Sequence, residues 1–187
     1  MKVQSQNFLE NKLVAHGKAH QWEKKTSKRR ALKSSETKQL LQEFKEKFPR
    51  FTSDPQSKQA VEEIVVENGK LFLIDDKPFA ISTGSGLFPS LLNEEVLKIL
   101  PSIIVDMGAI PHICNGADIM RPGIKEIHGE FEEGAVLLVK DIRFGKPIGI
   151  CVAETSSESM RAMAKGKAAR NIHYVGDLFW QALKKSD

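Results

Sequence analysis

One arginine and two glycines gather most of the chemistry this sequence offers. Arg121 stands in GAIPHICNGADIMRPGI, residues 108–124, between Gly116 and Gly123. A guanidinium is a rigid fork of donors that matches a phosphate or a base edge. Glycine lets backbone N–H groups approach a phosphate closely, because no Cβ stands in the way. Pro122 holds the bend and has no N–H to donate. Lys125 follows nearby in sequence. The two glycines can equally serve only to shape a turn. A second set of cations, Lys165, Lys167 and Arg170, comes later in the chain. Favourable charge at the end of a preceding helix would alone account for Lys165. Tyr174 can stack on a base or sit in the core, and His173 is read as a core residue.

The same inventory argues against catalysis. His16, His20, His112, His128 and His173 show neither HExxH nor HxE…PCxxC spacing, and Ser85 lies in G-S-G rather than GxSxG. Asp118, beside a glycine turn, is read as a turn cap. Cys114 and Cys151 form no CxxC pair, so no zinc site is expected. Gly84 and Gly86 invite comparison with a phosphate loop, but no GK[ST] follows and no GxGxxG completes. The expectation is a protein that binds, with no catalytic residue, metal or cofactor.

Bulk properties fit a globular chain of one or two domains. There are 187 residues, 41% hydrophobic and 28% charged, with a net charge of +4. The charge is uneven. Residues 1–50 hold 13 Lys/Arg against 5 Asp/Glu, whereas residues 51–187 hold 15 against 19. The basic N-terminal stretch, densest in KKTSKRR over residues 24–30, reads as a nucleic-acid arm or a solvated tail. Two cysteines make no disulfide scaffold, the first residues carry no long apolar region, and no run approaches a membrane span. A cytoplasmic protein is expected.

The elements that must position these residues follow from periodicity. Residues 35–48 form a helix, with Leu40, Leu41, Phe44 and Phe48 on one face, Ser34 or Ser35 as cap, and Pro49 as its end. EIVVE and KLFLID flank Asn68-Gly69, predicting a hairpin with a type I′ turn. A second turn at DDKP leads to PFAIS, completing a three-stranded meander. Residues 83–89 read as a bend, and residues 93–100 as a helix capped by Asn93. A domain boundary is placed near residue 100. Beyond it come strands over 103–106, 124–127, 135–140 and 148–153, with short helices over 108–114 and 156–164. In the second helix Met160 and Met163 face inward, and Gly166 stops it. Residues 168–175 and 179–183 close the structure. Many short strands with two brief helices predict a small mixed β-barrel.

GADIMRPGI, with KGKAARNIHYVGDLFW downstream, resembles the PUA domain over residues 101–183. RALKSSETKQLLQEFKEKFP, the hairpin around Asn68-Gly69, and GLFPSLL resemble the N-terminal domain of the malignant T-cell amplified sequence (MCT) family and the related ligatin, of an archaeal type. The implied fold is α+β: an N-terminal α/β domain with an antiparallel meander over 30–100, then a PUA-type mixed β pseudo-barrel over 101–183. Residues 1–29 fall outside the resemblance as a basic extension. The resemblance implies RNA binding, with the acceptor end of tRNA or small-subunit ribosomal RNA as target. It implies a role in initiation, reinitiation or recycling at the ribosome; the alternative is an accessory targeting module for a tRNA- or rRNA-modifying enzyme. Eukaryotic relatives work with a density-regulated partner protein. The resemblance places Lys165, Lys167 and Arg170 as the second wall of an RNA groove. The RNA-binding candidates are thus Gly116, Ala117, Arg121, Gly123, Lys125, Lys165, Lys167, Arg170 and Tyr174. Many members carry a basic residue where this chain has Met107, so no phosphate contact is carried over there.

Overall fold

The computed structural model describes residues 29–51 and 60–184. The N-terminal arm up to residue 28 and most of the polar connection over 50–60 lie outside the described residues. The described residues open with β1 (Arg29–Ala31), α1 (Ser34–Lys47), β2 (Val61–Val66), β3 (Gly69–Ile74), β4 (Lys77–Thr83), β5 (Gly86–Pro89) and α2 (Glu94–Leu97). These five strands form one antiparallel sheet in sequence order. The meander is therefore larger than expected at both ends. Residues 86–89 are a strand rather than a bend, because Leu87 and Phe88 are both buried and pair with Ser82 and Ile81. Arg29 and Arg30, read as part of a basic arm, are instead held in β1 by carboxylates. Arg29 pairs with Glu62 and Asp76, and Arg30 with Glu36 at 2.9 Å and Glu63 at 2.8 Å.

Turn chemistry shifts by a few residues from the expectation. Val66 pairs with Gly69, so Glu67 and Asn68 form the β2–β3 loop, and neither has positive φ. The pair with positive φ is Asp75 (48°) and Asp76 (63°), between β3 and β4. That is the backbone a type I′ turn requires. Gly69 is needed for a different reason: a Cβ there would lie 1.9 Å from the Ser82 carbonyl oxygen. The cap of α1 also differs, since the Glu36 carboxylate accepts from the Lys33 N–H at 2.8 Å and neither serine caps.

The second unit contains β6 (Ser102–Val105), α3 (Ile110–Ile113), β7 (Ile119–Met120), β8 (Ile124–His128), β9 (Val136–Asp141), β10 (Pro147–Ala153), α4 (Ser157–Ala162), β11 (Lys167–Tyr174) and α5 (Leu178–Lys184). Its sheet runs β7-β11-β10-β9-β6-β8, with β6 and β9 parallel. The edge strands β7 and β8 are joined by one 3-10 turn, Arg121–Gly123. Such a short link between opposite edges requires the sheet to curl on itself. Ser156 caps α4 as expected, but the helix ends at Ala162, before Gly166. The closing segment is α5, a helix rather than a strand, with Asp177 accepting from the Trp180 N–H at 2.8 Å at its start.

Strand alternation divides the core in two. Ile103, Val105, Leu137, Val139 and Cys151 face the inside of the curled sheet. Val136, Leu138 and Ile150 face the other way and join Phe44, Leu71, Phe88, Phe179 and the rest of the N-terminal core. Strands β9 and β10 are thus covered on both faces, which is why they read as unbroken apolar runs. Phe44 is the hub of the outer core, with the rings of Phe79 and Phe48 at 4.3 and 4.7 Å. Among the described residues, no helix is long and apolar enough to cross a membrane.

Candidate nucleic-acid interface

Helix α3 is one turn long and depends on its ends. At its start the Asp106 carboxylate accepts from the Ala109 N–H at 2.9 Å, and Lys125 approaches the same carboxylate at 3.1 Å. Both contacts hold the Asp106 carboxyl below its usual range, the backbone N–H foremost. At its end the Gly116 N–H donates to Ile113 and the Ala117 N–H to His112. The Asn171 amide then ties the end to β11, donating to the carbonyls of Ile113 and Ala117, each at 2.9 Å.

These bonds revise the expected role of the glycines. The N–H groups of Gly116 and Ala117 close the helix and do not point as a pair toward a ligand. Gly116 adopts φ +87°, and a Cβ there would stand 3.0 Å from the Tyr174 hydroxyl. Its absence seats the Tyr174 ring beneath the turn. Gly123 sits at the other end of α3, where a Cβ would meet that of Ala109 at 3.1 Å, and its carbonyl accepts from Asp106. Lys125 is at that end too, so neither joins the surface around Gly116.

Arg121 is turned inward. Its Nε donates to the Met160 carbonyl at 2.7 Å and its Nη1 to the Ile124 carbonyl at 2.9 Å. Its own N–H bonds Gly166. The guanidinium therefore braces the end of α4 against the 3-10 turn and β8, and only Nη2 is left without a partner among the described residues. The expected fork toward phosphate is thus largely occupied: two of its donor nitrogens bond carbonyls of the same chain.

The second cluster does face outward. Lys165 is exposed and has no ion-pair partner among the described residues. Lys167 lies between Asp118 at 3.3 Å and Glu154 at 3.4 Å, and these carboxylates, Asp118 first, push its ammonium above the ordinary lysine value. Arg170 has Nε 3.7 Å from Glu154 and donates from Nη1 to the Ser85 hydroxyl at 2.9 Å. Partly exposed pairs of this kind hold little net energy, so an incoming phosphate can compete for the cations. Asp118 also accepts from the Asn171 N–H at 2.9 Å, so it ties the turn to β11 rather than capping it from within as expected.

Gly116, Ala117, Lys167, Arg170 and Tyr174 are thus brought to one surface, with Lys165 just before β11. Beside it lies a cleft of about 330 Å³ between Thr83, Gly84 and Ser85 on one side and Arg170, Asn171 and Tyr174 on the other. Burial, then Asp177 and Cys114, push the Tyr174 phenol up. His173 is buried, with Nδ1 2.6 Å from Asp177 and its ring edge-on to Phe179, which agrees with a core role. Sequence reasoning missed Asn171, Glu154 and Ser85 as parts of this surface. The G-S-G turn was visible, but nothing in the order of residues announced that Ser85 would meet Arg170, 85 positions away.

The model of the PUA domain matches residues 101–175. An uncharacterized protein of Methanocaldococcus jannaschii is 33% identical over 156 residues, 82% of this chain and 95% of that one. Malignant T-cell-amplified sequence 1 of Rattus norvegicus is 33% identical over 124 residues, 63% of this chain. This chain spans 64% of that protein's length. Translation machinery-associated protein 20 of Schizosaccharomyces pombe is 26% identical over 146 residues, covering 69% of this chain and 81% of that one. Among solved structures, a PUA domain from Aeropyrum pernix in complex with tartrate superposes with a TM-score of 0.70 at 25% identity, over 84% of this chain and 91% of that one. These likenesses support RNA binding and a translation-related role.

Proposed function

We propose that this chain, which belongs to the PUA-domain proteins related to malignant T-cell-amplified sequence 1, is a translation factor that grips tRNA or small-subunit ribosomal RNA along the start of β11. The observation that carries the reading is the outward row Lys165, Lys167 and Arg170 beside the Gly116–Tyr174 contact. RNA is held largely through phosphate and 2′-hydroxyl contacts, with exposed bases stacked or bonded at their edges. The cations supply the phosphate contacts, and Tyr174 and Asn171 line the cleft where a sugar or base edge would lie. The role is binding, without a catalytic step. Residues 30–100 supply the Ser85 side of the cleft, and residues 101–183 supply the cationic side. A density-regulated type of partner protein is compatible with this arrangement.

Sedimentation with purified small ribosomal subunits tests the reading. The chain should travel with the subunit at low salt and leave it as salt rises. Lys165→Ala with Lys167→Ala should shift that release to lower salt. Sedimentation away from the subunit, together with a tRNA- or rRNA-modifying enzyme, would overturn the translation role in favour of a targeting module.

A further inference from the structure

The far end of the curled sheet displays a second surface that the β11 groove does not use. Strands β6 and β9 run parallel and finish together, Val105 opposite Asp141. The turn after β9 is built with unusual firmness. The Asp141 side chain is fully buried and accepts from the N–H groups of Arg143 at 2.9 Å, Phe144 at 2.6 Å and Lys146 at 2.8 Å. Its backbone bonds Lys146 and Gly145, and Gly145 adopts φ +64°. The Ile142 N–H donates to Val105 at 3.0 Å, which fastens the turn to the end of β6.

This rigid turn holds large apolar side chains in solvent. Ile142 is 46% exposed and Phe144 51%, and Met107, two residues past β6, is 43% exposed. The Arg143 guanidinium lies 5.2 Å from the centre of the Phe144 ring. Lys140 and Lys146 flank the turn, so three cations stand against one carboxylate, and that carboxylate is buried under its three N–H donors. The neighbouring acids are engaged: Asp106 by Lys125 and the α3 N–H, and Glu126 by His128 at 2.8 Å.

We infer that the Ile142–Phe144 turn, with Met107, is a stacking platform for an unpaired base of bound RNA. An exposed phenyl ring and a guanidinium both offer flat faces to a base, and flanking cations hold the phosphates on either side. The excess of positive charge favours a polyanion, and the exposed ring favours a strand whose bases are unpaired, since a base paired within a duplex has no free face. A preformed turn also loses little conformational freedom on binding. The inference rests on the RNA-binding reading above but concerns different residues.

Fluorescence anisotropy of the full chain with a labelled 12-nucleotide oligo(A) RNA, single-stranded or annealed to its complement, tests it. Phe144→Ala should weaken the single strand about tenfold and leave the duplex within about twofold. Phe144→Tyr should restore single-strand binding, and both variants should melt as the wild type does, since the ring is exposed. Unchanged single-strand binding by Phe144→Ala, or equal weakening on duplex, would overturn the platform. If Lys165→Ala with Lys167→Ala then still weakens tRNA binding, the β11 reading stands while this one falls. Wild-type protein that binds tRNA but not the single-stranded oligonucleotide would remove the platform alone.

Discussion

The turn after α3 and the start of β11 lie against each other, yet they direct their polar groups in opposite ways. On the turn side, Gly116, Ala117 and Arg121 give their donors to carbonyls of the same chain. On the β11 side, Lys165 is exposed without an ion-pair partner among the described residues, and Lys167 and Arg170 keep their charges near the surface, held by carboxylates and one hydroxyl. A short helix of four residues cannot hold itself. Its ends must be tied by neighbours, and the turn residues are consumed in doing so. The strand needs no such help, because its backbone is satisfied by β10 and β7. Its side chains are therefore free to meet a ligand. The conspicuous residues of the motif are spent on scaffold, and the plainer lysines beside them are the ones proposed to meet RNA.

That contrast can be broken or sharpened by substitution. Arg121→Ala should cost about 2–4 kcal/mol of stability, since two buried carbonyls lose a charged donor. Chemical denaturation would read the loss, while RNA affinity of the folded protein should stay within about twofold. A large affinity loss without destabilisation would restore Arg121 as a ligand contact. Gly116→Ala should cost about 1–3 kcal/mol, from a left-handed backbone and the crowded Tyr174 hydroxyl. It should also move the Tyr174 ring, visible as a shift of its NMR resonances. The smallest effect concerns Asp106, whose carboxyl is held below its usual range by the α3 N–H and Lys125. Its stabilising share is present above the ordinary carboxylate pKa and is lost as pH falls through the lowered folded value. Asp106→Asn, which keeps an acceptor for Ala109, should make the melting temperature fall less steeply from about pH 5 downward. A wild-type slope in that variant would show that Asp106 has no such part.

Much of this was legible in the chain. Alternation and apolar runs marked β9 and β10, and Leu40, Leu41, Phe44 and Phe48 marked α1, because burial patterns are written locally. Gly116 and Arg121 both fall in turns, one closing α3 and the other joining β7 to β8. What the sequence hid was direction and distance. Nothing local says that Arg121 reaches Met160, 39 positions on, rather than solvent. Nothing local says that Glu154 would sit between Lys167 and Arg170, or that Asp75-Asp76 would take the positive φ angles expected near Asn68-Gly69. Arg29 and Arg30 looked like tail charge because their carboxylates, Glu62 and Glu63, lie across a strand pairing. Side-chain partners at long sequence separation are properties of the assembled sheet, not of any window along it.

The central claim is that Lys165 and Lys167 neutralise RNA phosphates while the turn beside them only supports the surface. The most direct measurement is the salt dependence of tRNA affinity for wild type and for Lys165→Ala with Lys167→Ala. Two lost phosphate contacts should reduce the slope of log affinity against log salt by about 1.4–1.8, with the melting temperature unchanged. An unchanged slope in a folded double variant would contradict the account.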